Sequence, residues 1–477
     1  MEKPNVVLIV VDEMRGDCIG GAGHPDVKTP YLDTLITNGV YFPNAYSSCP
    51  SCIPARAALL TGLTQRSHGR VGYADGVRWA YTHTIATEMS RIGYYTQAIG
   101  KMHVHPLRNY LGFHHVELHD GYLHNYRGNN VPYGESQLIA DDYFYWLKKE
   151  KGIDCDITDT GLDCNSWVAR PWIYEEKCHP TNWVTDRSID FLRRRDPDQP
   201  FFLYASYVRP HAPYDAPQVY FDMYKNKNLR SPFKGDWDDG ELLKTQGRVF
   251  NSSTGPVDPE LIREQQIGYY ACITHLDHQI GRIMLSLIEQ GLDKNTVIIF
   301  TSDHGELLSD HALSRKIRPY QGSVHIPMIV SGPPSLIGNP RISNALVELR
   351  DVLPTAVSLK GERPDPSVEG ISMLEEKISK REYIHGEHSA GVYSNHFIVT
   401  KTDKYIWYSQ TGEEQYFNLA KDPNESHNAV SDNDSEYRVA YLRQQLINEL
   451  NGREEGYSDG VKLITGCTPK TCLSHVI

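Results

Sequence analysis

Asn5-Val6-Val7-Leu8-Ile9-Val10-Val11, followed at once by Asp12-Glu13, sets how the rest of the chain is read. The run is apolar, mostly β-branched and free of turn formers, which predicts a strand buried on both faces rather than one face of a half-wet sheet. Three more runs share its character: Tyr94-Tyr95-Thr96-Gln97-Ala98-Ile99, Phe201 to Tyr207, and Thr296 to Phe300. Helical periodicity lies between them, over about 84–92, from Thr185 to Arg195, and from Pro259 to Gln290 with Gly291 as its stop. Residues 30–39 read as a helix ending at Gly39, Val40-Tyr41-Phe42 as a short strand, and His325 to Val330 as a last strand. Alternating strand and helix predicts an α/β fold: a large, mostly parallel sheet with helices on both faces.

Sheets of this kind bind ligands beyond the carboxyl ends of their strands. Asp12, Lys101, His103, His211 and Asp303 all follow the ends of these runs. Polar residues often follow strands, so one such position means little; several with complementary chemistry on one sheet edge make a site. Stretches 104–180 and 212–257 read as irregular, aromatic loops. Gly361-Glu362-Arg363-Pro364-Asp365-Pro366 looks like a boundary, dividing the chain into a larger unit, 1–365, and a smaller α+β unit, 366–477. In the smaller unit Glu382 to His385, Phe397 to Thr400, Lys404 to Tyr408 and Glu414 to Phe417 predict an antiparallel sheet, with a helix over about 435–451.

The chain has 477 residues and a formal net charge of −12, which argues against nucleic acid or an anionic membrane as partner. It contains no apolar run long enough to span a bilayer, and the expectation is no membrane partner. If Met1 is the native start the location is cytoplasmic; otherwise the chain is exported with its signal removed. Nine cysteines without regular spacing do not suggest a disulfide framework, although Cys467 and Cys472 could pair under oxidising conditions. Cys155, Cys164 and Cys178-His179 fit no standard zinc spacing. Asn251-Ser252-Ser253, Asn424-Glu425-Ser426 and Asn433-Asp434-Ser435 match the glycosylation pattern, by chance unless the chain is secreted.

Chemistry concentrates in Cys49-Pro50-Ser51-Cys52-Ile53-Pro54-Ala55-Arg56-Ala57-Ala58-Leu59-Leu60-Thr61-Gly62. Pro54 suits the first turn of a helix, and Arg56 beside that helix start makes a positive pocket around a reactive-looking Cys52. Cys49-x-x-Cys52 alone would suggest a redox pair, but that leaves Arg56 and Thr61-Gly62 unexplained. Asp12, Asp303 and His304, with Glu13 as a fourth, are metal candidates, and their hard oxygen donors suit calcium or magnesium. A thiolate at Cys52 is a poor match for such an ion; an oxygen nucleophile would remove the mismatch.

The string Cys-x-Pro-Ala-Arg-x-x-x-Leu-Thr-Gly resembles the signature of the type I, formylglycine-dependent sulfatases of the alkaline phosphatase-like superfamily. Gly100-Lys101-Met102-His103 and Arg209-Pro210-His211-Ala212-Pro213 resemble further elements of that family, and Lys316 falls where its late lysine stands. The resemblance runs to about residue 420. It implies a sulfatase acting on sulfate monoesters of a small molecule or saccharide, one bound calcium, and a maturation enzyme that converts Cys52 to formylglycine. The hydrated aldehyde would be the nucleophile, with one hydroxyl on the metal alongside Asp12, Glu13, Asp303 and His304. By the same resemblance Arg56 holds the hydrate, Lys101 and Lys316 hold sulfate oxygens, His211 protonates the departing alcohol, and His103 takes the proton that regenerates the aldehyde. The family usually has two acids, or an acid and a glutamine, where this chain has Asp12-Glu13, and Asn or His at the position of His304. A sugar substrate is suggested by the family and by the Tyr- and Trp-rich loops, which could stack on pyranose faces. The rival readings are a phosphonate monoester hydrolase or phosphodiesterase using the same nucleophile, and a non-catalytic sugar binder, which would have no need of Cys52.

Overall fold

The run that opens the chain forms β1 (Asn5–Asp12), fully buried along its length. It lies at the middle of an eight-stranded sheet in the computed structural model, which describes residues 3–121, 140–238, 255–256 and 258–476. The other strands are β2 (Gly39–Tyr41), β3 (Ala45–Tyr46), β4 (Tyr95–Gly100), β5 (His115–Leu118), β6 (Phe201–Pro210), β7 (Thr296–Ser302), β8 (Met328–Ser331), β9 (Arg341–Ile342) and β10 (Val347–Glu348). The order across the sheet is β5-β4-β6-β1-β7-β8-β2-β9, while β3 and β10 pair separately. From β5 to β7 every neighbouring pair is parallel.

The expected doubly covered sheet is present. Alternate residues of β1 belong to two separate apolar cores, Val7, Ile9 and Val11 on one face, Val6, Leu8 and Val10 on the other. The helices Pro180–Arg194 and Pro259–Glu289 cover the first face; Cys52–Thr61, Ile85–Arg91 and Val352–Ser358 cover the second.

Differences from the sequence reading have local causes. β8 begins at Met328 and runs antiparallel to β7, and β2 runs antiparallel to β8. The chain between β7 and β8 carries only short helical turns and never crosses back over the sheet, so it re-enters at the edge it left. Gly39 starts β2 rather than closing a helix, which ends at Thr37. The stretch 104–180 is not wholly irregular. It holds β5 and the helix Asp142–Lys151, capped by the Asp141 carboxylate accepting from Phe144 N. The helix read from Thr185 starts earlier, at Pro180, where the missing N–H costs nothing and His179 Nδ1 accepts from Thr181 N. Parts of the two aromatic loops, 122–139 and 239–254, and the Asn251 motif lie outside the described residues.

A second, antiparallel sheet contains β11 (Ile384–His388), β12 (Asn395–Val399), β13 (Lys404–Tyr408) and β14 (Glu414–Phe417). Period-two patterning splits its side chains: Phe397, Val399, Ile406 and Tyr408 pack toward Tyr46, Leu307 and Tyr320, whereas Ile398, Tyr405 and Trp407 pack against the helix Glu436–Leu450. Its end is tied to the segments around Cys52 by backbone bonds from Glu387 N to Ser48 O and from Ser389 N to Val71 O.

Candidate active site

The four central neighbours β4-β6-β1-β7 deliver most of the singled-out residues at their carboxyl ends. Asp12 ends β1, Lys101 and His103 follow β4, His211 follows β6, and Asp303 and His304 follow β7. Gly100 is required where β4 turns toward the site: its φ is 97°, and a Cβ there would lie 1.9 Å from Ser206 O.

Cys52 is the first residue of the helix Cys52–Thr61, which ends on Gly62 in the left-handed conformation. Its Sγ lies 3.3 Å from His304 Nε2, 3.6 Å from Asp12 Oδ1 and 3.7 Å from Lys101 Nζ. The charge of the pocket does not activate this thiol. Burial pushes its pKa up and the Asp12 carboxylate adds to that, against the opposing pull of Lys101 and Lys316. Desolvation and a neighbouring carboxylate both oppose the thiolate.

Asp12, Cys52, Asp303 and His304 place one donor atom each within 4.8 Å of one another, all buried. Donation from His304 Nδ1 to Gly305 O at 3.0 Å fixes the tautomer and leaves Nε2 to face the group. Burial works to raise the Asp12 pKa, but Lys101, His211, His304 and Arg56 outweigh it and hold the carboxyl well below its ordinary range. Two buried carboxylates and an imidazole nitrogen suit a divalent ion. Glu13 stands apart from this foursome. Its Oε2 takes Lys316 Nζ at 3.1 Å and lies 3.2 Å from His211 Nε2, while Oε1 is buried with no hydrogen-bond partner among the described residues. Burial raises its pKa well above the carboxylate range, so the carboxyl has spare capacity for a cation or a proton.

Arg56 is fully buried and mostly committed to its own surroundings. Nε bonds Asp303 Oδ2 at 3.0 Å, and Nη1 bonds Lys101 O, Tyr204 Oη and Ser206 Oγ, each at 2.9 Å. Nη2 is the donor left without a partner among the described residues. Tyr204 and Ser206, two apart on β6, were not singled out from the sequence; polar side chains at i and i+2 inside an apolar strand were the available signal.

Lys101 Nζ is paired with Asp12 Oδ2. Lys316 Nζ lies 2.7 Å from His211 Nε2, and His211 Nδ1 donates to Ala212 O at 2.8 Å. Burial, then the charge of Lys316, hold the His211 pKa well below its ordinary value. His103 has a φ of 55°, and its N–H and that of Met102 both donate to Asp120 Oδ1 at 2.9 Å. Cys52, Lys101, His103, His211 and Lys316 line one cavity of about 760 Å³, together with residues not identified from the sequence: Tyr73, Asp75, Asp163, Asn165, His388 and Thr471.

A second group, His385, Glu387 and His396, also has ligand atoms within 4.8 Å. It does not suit a metal: Arg453 Nη1 takes Glu387 Oε1 at 2.6 Å, and the two imidazole planes lie 9° from parallel, so their lone pairs do not converge. All nine cysteines are free thiols, Cys467 and Cys472 included.

Residues 4–362 match the family model described as Sulfatase. The chain is 50% identical over 480 aligned residues to an arylsulfatase of Clostridium perfringens, covering 99% of this chain and all of that protein. Among solved structures, a phosphonate monoester hydrolase of Agrobacterium radiobacter superposes with a TM-score of 0.76 at 24% identity, over 94% of this chain and 95% of the other. A protein solved with its substrate D-glucosamine-2-N,6-O-disulfate gives 0.70 at 19% identity, over 94% and 98%. At these identities the two structures speak for the fold.

Proposed function

Because the chain belongs to the sulfatase family and is a sulfuric ester hydrolase, we propose that it hydrolyses sulfate monoesters of carbohydrates, with formylglycine at position 52 and calcium held by Asp12, Asp303 and His304. The observation that carries this reading is the convergence of those three residues on Cys52, which lines one cavity with Lys101, Lys316 and His211. Formylglycine supplies an oxygen nucleophile in place of sulfur, and the cation supplies the positive charge that favours ionisation of that oxygen.

The remaining work falls to the chain's own side chains. Lys101 and Lys316 bind the sulfuryl oxygens, and fixed cations there are worth about 10²–10³-fold per donor. Glu13 holds Lys316 on the wall beside His211, and serves the cation only through its unpartnered Oε1. Arg56 anchors Asp303 and the Lys101 carbonyl, with Nη2 available to the group at position 52. His211 carries a hydrogen on Nδ1, bound to Ala212 O, so Nε2 is the atom that passes a proton from the Lys316–His211 pair to the departing alcohol. His103, which lines the same cavity, takes the proton that resets position 52.

Protein made in a host with a formylglycine-generating enzyme is assayed for inorganic sulfate release from 4-nitrophenyl sulfate and a panel of monosulfated monosaccharides. Peptide mass at position 52 is read on the same sample. Activity should track the mass of the aldehyde or its hydrate, and full activity with an intact thiol overturns the reading. A phosphonate monoester turned over faster than every sulfate ester would transfer the assignment to that chemistry.

A further inference from the structure

The second sheet reaches the cavity through a residue that the mechanism above does not use. His388 ends β11 and lines the same cavity as Cys52 and Lys316. Its main chain is held there from several sides. Glu387 N donates to Ser48 O and Ser389 N to Val71 O, both at 2.8 Å, and these flank His388 on either side in the chain. Across the sheet, His388 pairs with Asn395, whose Nδ2 donates to Ile317 O at 3.0 Å, and Ile317 N donates to Pro50 O. The end of β11 is therefore bonded to the segment before Cys52 and braced against the segment after Lys316.

His388 is 3% exposed, and neither Nδ1 nor Nε2 has a hydrogen-bond partner among the described residues. A buried imidazole whose two polar atoms are both unanswered is a costly arrangement unless something in the cavity answers them. Burial, then the charges of His304 and Lys316, push its pKa down to about 3, so the ring is neutral and offers one donor and one acceptor. That pair of capacities matches a hydroxyl, which itself donates and accepts. It does not match a second anion, which would also meet Asp75, Asp120 and Asp163 among the residues lining the cavity.

Resting on the sulfate-ester reading, we propose that His388 is a specificity-determining residue that hydrogen-bonds a hydroxyl on the alcohol half of the ester, so that the preferred substrate is a sulfated polyol rather than an aryl sulfate. It binds the part of the substrate that does not react, and its loss should therefore appear mainly in KM.

The test uses matured enzyme and three probes: the best monosulfated monosaccharide from the panel, its analogues each lacking one hydroxyl, and 4-nitrophenyl sulfate. For His388→Ala, the ratio of kcat/KM for the sugar sulfate to that for 4-nitrophenyl sulfate should fall roughly 5- to 150-fold, the range for leaving one buried polar partner unpaired. One deoxy analogue should cost the wild type a similar factor and cost His388→Ala nothing further, as a double-mutant cycle requires of a direct contact. His388→Gln, which also donates and accepts, should recover part of the ratio and guards against a folding defect in the alanine variant. Equal losses on both substrates, or additive losses for every deoxy analogue, overturn the proposal. So does an enzyme that turns over 4-nitrophenyl sulfate but no sugar sulfate. Release of no sulfate from any ester would instead sink the reading on which this one rests.

Discussion

His211→Ala separates leaving-group chemistry from sulfate binding. Its Nδ1 is held by Ala212 O at 2.8 Å, leaving Nε2 as the only ring atom able to pass a proton, and Nε2 lies 2.7 Å from Lys316 Nζ. The main chain at this position is fixed independently, with His211 N donating to Asp12 O at 3.0 Å, so truncating the side chain leaves the loop in place. Lys316 keeps its bond to Glu13 Oε2 at 3.1 Å and with it the positive wall. What disappears is the acid. A placed general acid contributes about 10²–10⁴-fold, or roughly 3–5 kcal/mol of barrier. A sugar alkoxide needs that proton; a nitrophenolate leaves without it. The variant should thus lose about 10²–10⁴-fold in kcat/KM on a sugar sulfate and at least about tenfold less than that on 4-nitrophenyl sulfate. Lys101→Ala, which removes charge from the sulfuryl group common to both, should damage the two alike. Steady-state kinetics of both variants on both substrates at one pH decides the matter. Equal losses for His211→Ala on the two leaving groups refute the acid assignment and leave this residue as a sulfate-binding group.

Three further outcomes follow from the same geometry. Arg56→Met strands the buried Asp303 carboxylate that Nε now holds at 3.0 Å. It should cost about 3–5 kcal/mol in urea unfolding with chelator present, and a loss below about 1 kcal/mol would contradict the pairing. Calorimetric titration with calcium should show a site in the wild type that the double variant Asp12→Asn, Asp303→Asn lacks; equal binding by both would move the metal elsewhere. Asp277, whose carboxylate accepts from Tyr31 N and Leu32 N, is pushed up to about 7 by burial. The folded chain keeps that proton after the unfolded chain has lost it, so this group's contribution to stability falls as pH rises from about 4 to about 7, by at most about 4 kcal/mol. Asp277→Asn should be insensitive to pH over that window relative to wild type, and parallel stability curves for the two proteins would exclude the shift.

The sequence by itself determined the strands, because an apolar β-branched run such as Val6–Val11 can be satisfied only by burial on both faces. It also determined which residues stand at the strand ends, and the Cys52–Gly62 string carried the proposed nucleophile position and its arginine. Tertiary structure alone decided how those residues meet. The spatial order β4-β6-β1-β7 sets strands far apart in the chain side by side, and only that order brings Lys101, His211, Asp12 and Asp303 to one edge. The state of Cys52 was likewise beyond the sequence, where a neighbouring arginine suggests a low pKa; burial and the Asp12 carboxylate reverse the sign. Glu13 read as one more oxygen ligand; its side chain also pairs with Lys316, 303 residues further along the chain, and its ligand atom lies within 4.8 Å of those of Asp12 and His211. His388 carried no signal at all. A lone histidine at the end of a short strand has no local pattern, and its place in the cavity comes from hydrogen bonds between the second sheet and distant loop segments at Ser48 and Val71, which no periodicity encodes.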